Sequence, residues 1–247
     1  MTKWTQKKEF GNFYVEQSED NSSICLLTLN DNENKFNNVN LKHWNDALDY
    51  VESIEDVSCL VVTATSPKFF STGLDLDWVM SVERPVFAGF IKGFQTLLAR
   101  LLVFPMPTVV AINGHAFAGG AMCAMAFDFR VMKEDRGFFC LPEIDIHIPL
   151  TPGMDIILQS KITNKILYRD VVLLGKRFGG KEAAKLQLVD FAEKDELSKA
   201  VEIAEKVFSK GKDRHTYGAL KREMFRNQTT VLRAGEFGES NKIQSKL

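Results

Sequence analysis

The sequence has few of the residues and motifs that mark metal, nucleotide or redox proteins. It holds four cysteines and four histidines in 247 residues, with no Cys-x-x-Cys pair and no cysteine–histidine cluster at zinc spacing. It also lacks the Walker loop and the Gly-x-Gly-x-x-Gly fingerprint, which argues against a reaction driven by a nucleotide or by NAD. We therefore expect no metal ion and no redox cofactor.

Long apolar runs and an excess of one charge are absent as well. The longest apolar stretch, Leu97–Ile112, is interrupted by Arg100, Pro105 and Pro107, so we expect no membrane span. The N-terminal residues carry charges without an apolar segment, which disfavours a secretory signal. The net charge of −1 gives no electrostatic reason to expect nucleic acid or an anionic membrane as a partner.

The composition is that of a globular protein with one sizeable core, since 45% of the residues are hydrophobic. The cysteines lie in apolar contexts and are expected to be buried thiols in a compartment without disulfides. They are Cys25, Cys59, Cys123 and Cys140.

Predicted strands alternate with predicted helices, which favours an α/β fold with mostly parallel pairing. Asn40 is expected to cap the first helix, a strand pair is expected over 129–133 and 137–140, and the chain from Thr151 onward is expected to be helical. Predicted strands are Phe13–Glu16, Ile24–Asn30, Leu60–Ala64 and Thr108–Ile112; predicted helices are Leu41–Ser53, Val86–Leu102 and residues 195–208.

The most informative stretch is residues 109–132, VVAINGHAFAGGAMCAMAFDFRVM, followed by Leu-Pro-Glu at 141–143. A β-branched run leads through a turn to Gly119 and Gly120, which open a helix of small residues. Free backbone N–H groups at such a helix start are preorganised donors for an anion or a developing oxyanion. Glu143 is then the candidate for proton transfer.

A second strand runs into a glycine loop in residues 60–76, LVVTATSPKFFSTGLDL. At Gly73 the backbone can approach a ligand closely. The two strand-to-glycine-loop segments could each supply one N–H group to the same oxygen.

These motifs resemble those of the enoyl-CoA hydratase/isomerase (crotonase) family over about residues 10–210. The resemblance implies a spiral of ββα units over residues 1–200, a C-terminal helical region over 201–247, and a homotrimer or hexamer. It implies that the N–H groups of Leu74 and Gly119 form an oxyanion hole for an acyl-CoA thioester. The other residues it assigns to substrate binding are Ser71, Thr72, Gly73, Asp75, Gly120 and Met122.

The acidic residues indicate which reaction of the family to expect. Hydratases of the family carry two glutamates, but here the first position is Met122, whose thioether cannot orient or deprotonate water. The second position is Glu143, whose pKa burial should raise. A single carboxylate suffices to move a proton from C2 to C4, which favours Δ3,Δ2-enoyl-CoA isomerase chemistry in fatty-acid β-oxidation.

Other interpretations stay open. Dienoyl-CoA isomerases of the family use acids where this chain has Met122 and Thr151, which disfavours that reaction. Some peroxisomal isomerases place their glutamate in a Thr-Glu-Gly-like element, matched here by residues 151–153, Thr-Pro-Gly, without an acid. A CoA thioester hydrolase, a weak hydratase and a non-catalytic acyl-CoA-binding protein are the alternative functions.

Neighbouring residues have both structural and functional interpretations. Asp75 is expected to cap the following helix. If residues 143–147 are strand-like, Asp145 and His147 share the face of Glu143. A stripe of Phe87, Phe90, Phe94 and Leu97 is expected in the core, with part of it lining an acyl tunnel, and Lys68 and Lys92 are either solvated or near CoA phosphates.

The chain ends in Ser245-Lys246-Leu247. This tripeptide is the peroxisomal address read by an import receptor. We therefore expect a peroxisomal protein.

Overall fold

The computed structural model describes residues 2–239, so the predicted targeting tripeptide lies outside the described residues. The strands are β1 (Lys8–Phe10), β2 (Phe13–Gln17), β3 (Ile24–Leu29), β4 (Cys59–Ala64), β5 (Phe69–Ser71), β6 (Thr108–Ile112), β7 (His115–Phe117), β8 (Phe129–Lys133), β9 (Phe139–Cys140) and β10 (Phe191–Glu193). The helices are α1 (Asn38–Ser53), α2 (Leu76–Ser81), α3 (Arg84–Leu102), α4 (Gly119–Met125), α5 (Pro152–Lys161), α6 (Lys165–Val172), α7 (Gly180–Lys185), α8 (Glu196–Val207), α9 (Arg214–Met224) and α10 (Arg226–Ala234).

Two sheets organise the chain. The large sheet has the order β1-β2-β3-β4-β6-β8-β10, antiparallel from β1 to β3 and parallel from there on. The small sheet, β5-β7-β9, is parallel throughout. Each small-sheet strand directly follows a strand of the large sheet, and helices follow β5 and β7. This arrangement confirms the expected spiral of ββα units.

The large sheet is covered on both faces, so its central strands β3, β4 and β6 are buried along their whole length and mostly apolar. On β4, Cys59 and Val61 pack towards Ala200 and Ala204 of α8. The alternate residues of β4 face the main core, which contains the buried apolar side chains of α1 and α3. All four cysteines are free and buried, as expected.

The small sheet positions the candidate site. Its register pairs Ser71 with Ala116 and Phe117 with Cys140. Parallel strands end at one edge of their sheet, so three loop starts meet there. These are Thr72-Gly73-Leu74 after β5, Ala118-Gly119 after β7, and Leu141-Pro142-Glu143 after β9.

Several local expectations were wrong. The segments 129–133 and 137–140 do not pair with each other, since β8 lies between β6 and β10 while β9 pairs with β7. The cap of α1 is Asn37, which accepts the N–H of Asn40 at 3.0 Å. Asn40 is buried inside the first turn, where its amide donates to the Lys35 carbonyl at 2.7 Å.

The C-terminal part is helical apart from β10, which extends the large sheet alongside β8. The helix expected over 195–208 is present as α8, capped by Asp195. The division of the chain at residue 200 stays a prediction; Ala200 is fully buried within α8. In the described part of the chain, no helix is both long and apolar enough to cross a bilayer.

Candidate active site

The loop that contains Gly73 and the loop that contains Gly119 and Gly120 are in close backbone contact. Gly73 has φ +91°, a left-handed conformation that favours glycine. A Cβ on Gly73 would lie 2.8 Å from the nitrogen of Gly119, and a Cβ on Gly120 would lie 2.5 Å from the carbonyl oxygen of Ser71. Neither position has room for a side chain, so the glycines are needed to bring the two backbones together.

The backbone N–H groups of Leu74 and Gly119, which lie at this junction, have no acceptor among the described residues. On either side of Leu74 the N–H groups are engaged, since Gly73 donates to the Ser71 hydroxyl at 3.2 Å and Asp75 to the Phe36 carbonyl at 2.9 Å. Met122 donates to the Ala118 carbonyl at 3.0 Å. Two free donors from adjacent loops can bind one oxygen atom.

The residue before Gly119 is strained. Ala118 caps α4 with φ 49° and ψ −122°, a conformation that costs a residue with a Cβ about 1–3 kcal/mol. Its N–H donates to the Cys140 carbonyl at 3.0 Å, which ties this turn to the end of β9. The strain is held in place by the small sheet, and it orients the Gly119 peptide.

Glu143 lies in a short 3₁₀ helix, Pro142–Ile144, immediately beyond β9. Its side chain is 9% exposed, and Oε2 is buried with no hydrogen-bond partner among the described residues. Burial raises the pKa of Glu143 from 4.5 to about 7, partly opposed by a hydrogen bond from its own backbone. A carboxyl group with this pKa can both accept and donate a proton near neutral pH.

Both features face one cavity of about 220 Å³. Thr72, Leu74, Gly119, Met122 and Glu143 all contribute to its wall. Glu143 is the single ionisable side chain among the described residues that line it. The rest of the wall is mostly apolar: Leu76, Val79, Phe87, Ile91, Phe117, Ala118, Pro142, Ile146, Ile148, Pro149, Leu150, Thr151, Met154 and Phe237.

Four other predicted site residues do not line the cavity: Ser71, Gly73, Asp75 and Gly120. The hydroxyl of Ser71 donates to the Asn34 carbonyl at 2.8 Å. Asp75 caps α2, as expected, accepting the N–H of Trp78 at 3.3 Å. Together with Gly73 and Gly120 they hold the two loops in position. Their predicted contact with substrate stays a prediction.

Residues 143–147 are not strand-like, so the condition under which Asp145 and His147 would share the face of Glu143 is not met. The chain turns as a 3₁₀ helix after Pro142, so the strand alternation that would align the three residues is lost. Both side chains are exposed, and His147 has φ 58°. His147 borders a wider opening of about 830 Å³ that reaches Glu143 from the outside.

The Thr-Pro-Gly element at 151–153 has a structural role. Thr151 caps α5, its hydroxyl accepting the N–H of Met154 at 3.1 Å, and it also lines the cavity. Of the phenylalanine stripe, Phe87 lines the cavity, while the ring of Phe94 lies beside Gly119. Among the described residues, no cluster of histidine, cysteine or acidic side chains is placed to hold a metal ion.

Sequence reasoning missed two parts of the wall. One is the loop 146–150, whose apolar residues follow Glu143 directly. The other is Phe237, which lies three residues beyond the end of α10 and contacts Phe87 across the cavity. Two glycines flank Phe237, and they mark a turn without indicating where the ring points.

Comparison with known proteins identifies a family and several relatives of this chain. A family model described as enoyl-CoA hydratase/isomerase matches residues 19–245. The chain is 31% identical over 215 residues to "Enoyl-CoA delta isomerase 3" of Arabidopsis thaliana, covering 84% of this chain and 90% of the relative. It is 29% identical over 217 residues to "Enoyl-CoA delta isomerase 2, peroxisomal" of the same plant, covering 84% and 90%.

Solved structures share the fold. A Mycobacterium tuberculosis structure described as a probable enoyl-CoA hydratase superposes with a TM-score of 0.79 at 25% identity, over 99% of this chain and 95% of the other. Another, described as an enoyl-CoA isomerase, gives a TM-score of 0.78 at 24% identity, over 100% and 98%. With the family model spanning most of the chain, the conclusion is that this protein belongs to the enoyl-CoA hydratase/isomerase family.

Proposed function

We propose that the protein is a Δ3,Δ2-enoyl-CoA isomerase, which converts 3-enoyl-CoA to trans-2-enoyl-CoA. The observation that carries the proposal is that Glu143 is the single ionisable side chain among the described residues of the cavity wall, opposite two unpaired N–H groups. The names of the Arabidopsis relatives support the same reaction.

The oxyanion hole is the first element of the proposed mechanism. The N–H groups of Leu74 and Gly119 would donate to the thioester oxygen of the substrate. As C2 loses its proton, negative charge moves onto that oxygen and both hydrogen bonds strengthen. Loss of one donor of this kind costs about 2.7–4 kcal/mol of transition-state stabilisation, so the hole would make the C2 proton removable.

Glu143 is the second element. Its carboxylate would take a proton from C2, and the electron pair would spread over the dienolate from C4 to the thioester oxygen. The same group, now a carboxylic acid, would return the proton to C4, leaving the double bond between C2 and C3. The proton comes from the substrate and goes back to it, so the reaction needs neither a metal nor a redox cofactor.

Met122 separates this proposal from a hydratase. It is 1% exposed and lies one helical turn after Gly119, at the position of the first hydratase glutamate. Its thioether accepts hydrogen bonds only weakly, so a water at this end of the cavity would have Glu143 as its one ionised partner. Hydration and thioester hydrolysis both need a held water, which makes them the less favoured functions.

The cellular setting is also a proposal. The name of one Arabidopsis relative places that protein in the peroxisome, and the tripeptide Ser245-Lys246-Leu247 resembles a peroxisomal address. We propose that the protein acts in peroxisomal fatty-acid oxidation on acyl-CoA, and that it is imported by the receptor of that signal. Assembly as a trimer or hexamer is proposed from the family alone.

The decisive experiment measures conversion of trans-3-hexenoyl-CoA by its conjugated-thioester absorbance, for the wild type and for Glu143→Gln. We expect wild-type turnover and at least a thousandfold loss in the variant, with acyl-CoA binding retained. Glu196→Gln is the matched control, since Glu196 is also buried, at 7% exposure, but pairs with Lys133 away from the cavity.

Three outcomes would contradict the proposal. Turnover that survives Glu143→Gln would remove Glu143 from its role. Wild-type protein that binds acyl-CoA without converting it would be a binding protein. Production of 3-hydroxyacyl-CoA or of free CoA thiol in place of the 2-enoyl product would establish a hydratase or a hydrolase.

A further inference from the structure

Phe237 and Phe87 contact each other in the wall of the candidate cavity. The ring of Phe237 lies 5.8 Å from the ring of Phe87, centroid to centroid, at an interplanar angle of 54°. Both rings line the cavity, although 150 residues separate them in the chain. The segment after α10 therefore forms part of the wall.

Two glycines hold this segment in place. Gly235 ends α10 in the left-handed region, with φ 67°, and a Cβ there would lie 2.7 Å from Cγ of Lys92 on α3. Gly238 has φ 54°, and a Cβ there would lie 3.0 Å from Cδ of Pro152 at the start of α5. The chain thus turns sharply on both sides of Phe237 and passes close to α3 and α5, which directs the ring inward.

Helix α3 carries one residue beside Gly119 and another beside Phe237, so its rise gives a distance between these two parts of the wall. The ring of Phe94 lies beside Gly119, since a Cβ on Gly119 would be 3.2 Å from Cζ of Phe94. Phe87, which contacts Phe237, is seven residues earlier on the same helix, a rise of about 10 Å. An extended chain advances about 1.2 Å per bond, so roughly eight or nine bonds separate the oxyanion end from Phe237.

The cavity volume leads to a similar length. A cavity of about 150 Å³ holds the six carbons of benzene. At the same volume per carbon atom, a cavity of about 220 Å³ holds roughly nine carbons. The distance along α3 and the cavity volume both indicate an acyl chain of medium length.

We infer that Phe237, braced by Phe87, sets an upper limit on acyl length, and that the preferred ligands are medium-chain acyl-CoA esters of about eight to ten carbons. The inference rests on the proposed function, because it places the thioester at Leu74 and Gly119. Longer chains would have to displace the ring of Phe237. Because that ring is only partly buried, the limit is a matter of affinity and rate.

The test compares Phe237→Ala and Phe237→Trp with the wild type on 3-enoyl-CoA esters of six, eight and fourteen carbons. In the wild type, kcat/KM should fall at least tenfold from eight to fourteen carbons. Phe237→Ala should raise the fourteen-to-eight ratio at least tenfold, whereas Phe237→Trp should lower the eight-to-six ratio. Phe191→Ala is the control: Phe191 is 39% exposed on β10 and does not line the cavity, so it should leave every ratio unchanged.

Calorimetric binding of saturated hexanoyl-, octanoyl- and tetradecanoyl-CoA separates this inference from the proposed reaction. If the wild type binds these esters without turnover, the isomerase proposal fails and the binding ratios still test Phe237. Ratios that stay within twofold in both variants, with unchanged melting temperatures, would overturn the inference. Absence of acyl-CoA binding by the folded wild type would overturn it as well.

Discussion

Gly73 and Gly119 are in direct backbone contact, close enough that a Cβ on Gly73 would lie 2.8 Å from the Gly119 nitrogen. This contact puts the N–H of Gly119 next to the peptide that carries the N–H of Leu74. Neither group has an acceptor among the described residues. The proposed oxyanion hole therefore depends on glycine at position 73, where a Cβ would collide with the backbone of Gly119.

Gly73→Ala should damage both stability and activity. The substitution places a Cβ at φ +91°, at a cost of about 1–3 kcal/mol, and it pushes the Gly119 loop away. We expect a lower urea midpoint and a fall in kcat of at least a hundredfold, as for loss of an oxyanion donor. Urea denaturation and the isomerase assay measure the two effects.

Gly89→Ala is the matched control for that variant. Gly89 lies on α3, and a Cβ added there would have no atom within 4 Å. Alanine there should stabilise the protein by about 0.5–1 kcal/mol and leave turnover unchanged. A Gly73→Ala enzyme with wild-type kcat would show that the loop contact is not needed for catalysis.

Met122→Glu should shift the reaction towards hydration. The new carboxylate would stand at the hydratase position, where with Glu143 it can hold a water molecule. We expect lower isomerase turnover and the appearance of 3-hydroxyacyl-CoA, followed by chromatography of the products. Met122→Leu conserves volume and should cost less than about 1.5 kcal/mol while retaining isomerisation. Glutamate at 122 without any hydrated product would mean that more than one residue sets the reaction.

The rate should depend on pH through Glu143. Only the carboxylate can remove the C2 proton, and burial raises the pKa of Glu143 to about 7. We expect kcat/KM to rise with pH up to about 7 and then to level off, falling about tenfold per pH unit on the acid side. A profile that stays flat down to pH 5 would contradict the burial of this group in the free enzyme.

Glu143→Gln should be more stable than the wild type at alkaline pH. A pKa raised from 4.5 to about 7 means that the folded state binds this proton more tightly than the unfolded state, so stability falls as pH rises between these values. Above pH 7, burial of the ionised Glu143 carboxylate lowers the free energy of unfolding by about 3 kcal/mol. Glutamine carries no charge, and its advantage should vanish near pH 4. Urea unfolding at pH 5 and pH 8 measures the difference, and equal stability of the two proteins at pH 8 would argue against the raised pKa.

Relief of strain at Ala118 gives another measurable effect. Ala118→Gly keeps the backbone at φ 49° without the penalty of a Cβ. Relief of this strain raises the free energy of unfolding by about 1–3 kcal/mol, whereas the greater freedom of glycine in the unfolded chain lowers it by about 0.4–1 kcal/mol. We expect a net gain of about 1 kcal/mol with retained activity, measured by urea unfolding. Ala124→Gly, within α4, should instead destabilise the protein.

Local sequence signals were sufficient to select residues that the structure places around one cavity. Gly73, Gly119 and Glu143 each lie in a short motif, a glycine loop or a Pro-Glu pair, that could be recognised directly. The strands predicted before the two glycine loops were β4 and β6 of the large sheet, whereas the short strands β5 and β7, which immediately precede the loops, were not predicted. Asn37 and Asn40 show the limit of such signals. Either asparagine can cap a helix, and burial of Asn40 against the Lys35 carbonyl decided between them.

The features that sequence reasoning missed depend on distant partners. Strand periodicity does not say which of two sheets a strand joins, which is why the pairing expected for 129–133 was wrong. Pro142 begins a 3₁₀ turn that no alternation pattern reveals, and it moves His147 away from the cavity. Phe237 becomes part of the wall only because α10 packs against α3 and α5.

The short strands of the small sheet have a consequence for how the protein loses activity on heating. These strands contain three, three and two residues, whereas β3 and β4 of the large sheet pair along six residues each. Segments held by few hydrogen bonds open at lower free energy than the rest of a fold. On warming, the three loops should separate while most secondary structure is intact, so enzymatic activity would be lost several degrees before the circular dichroism signal.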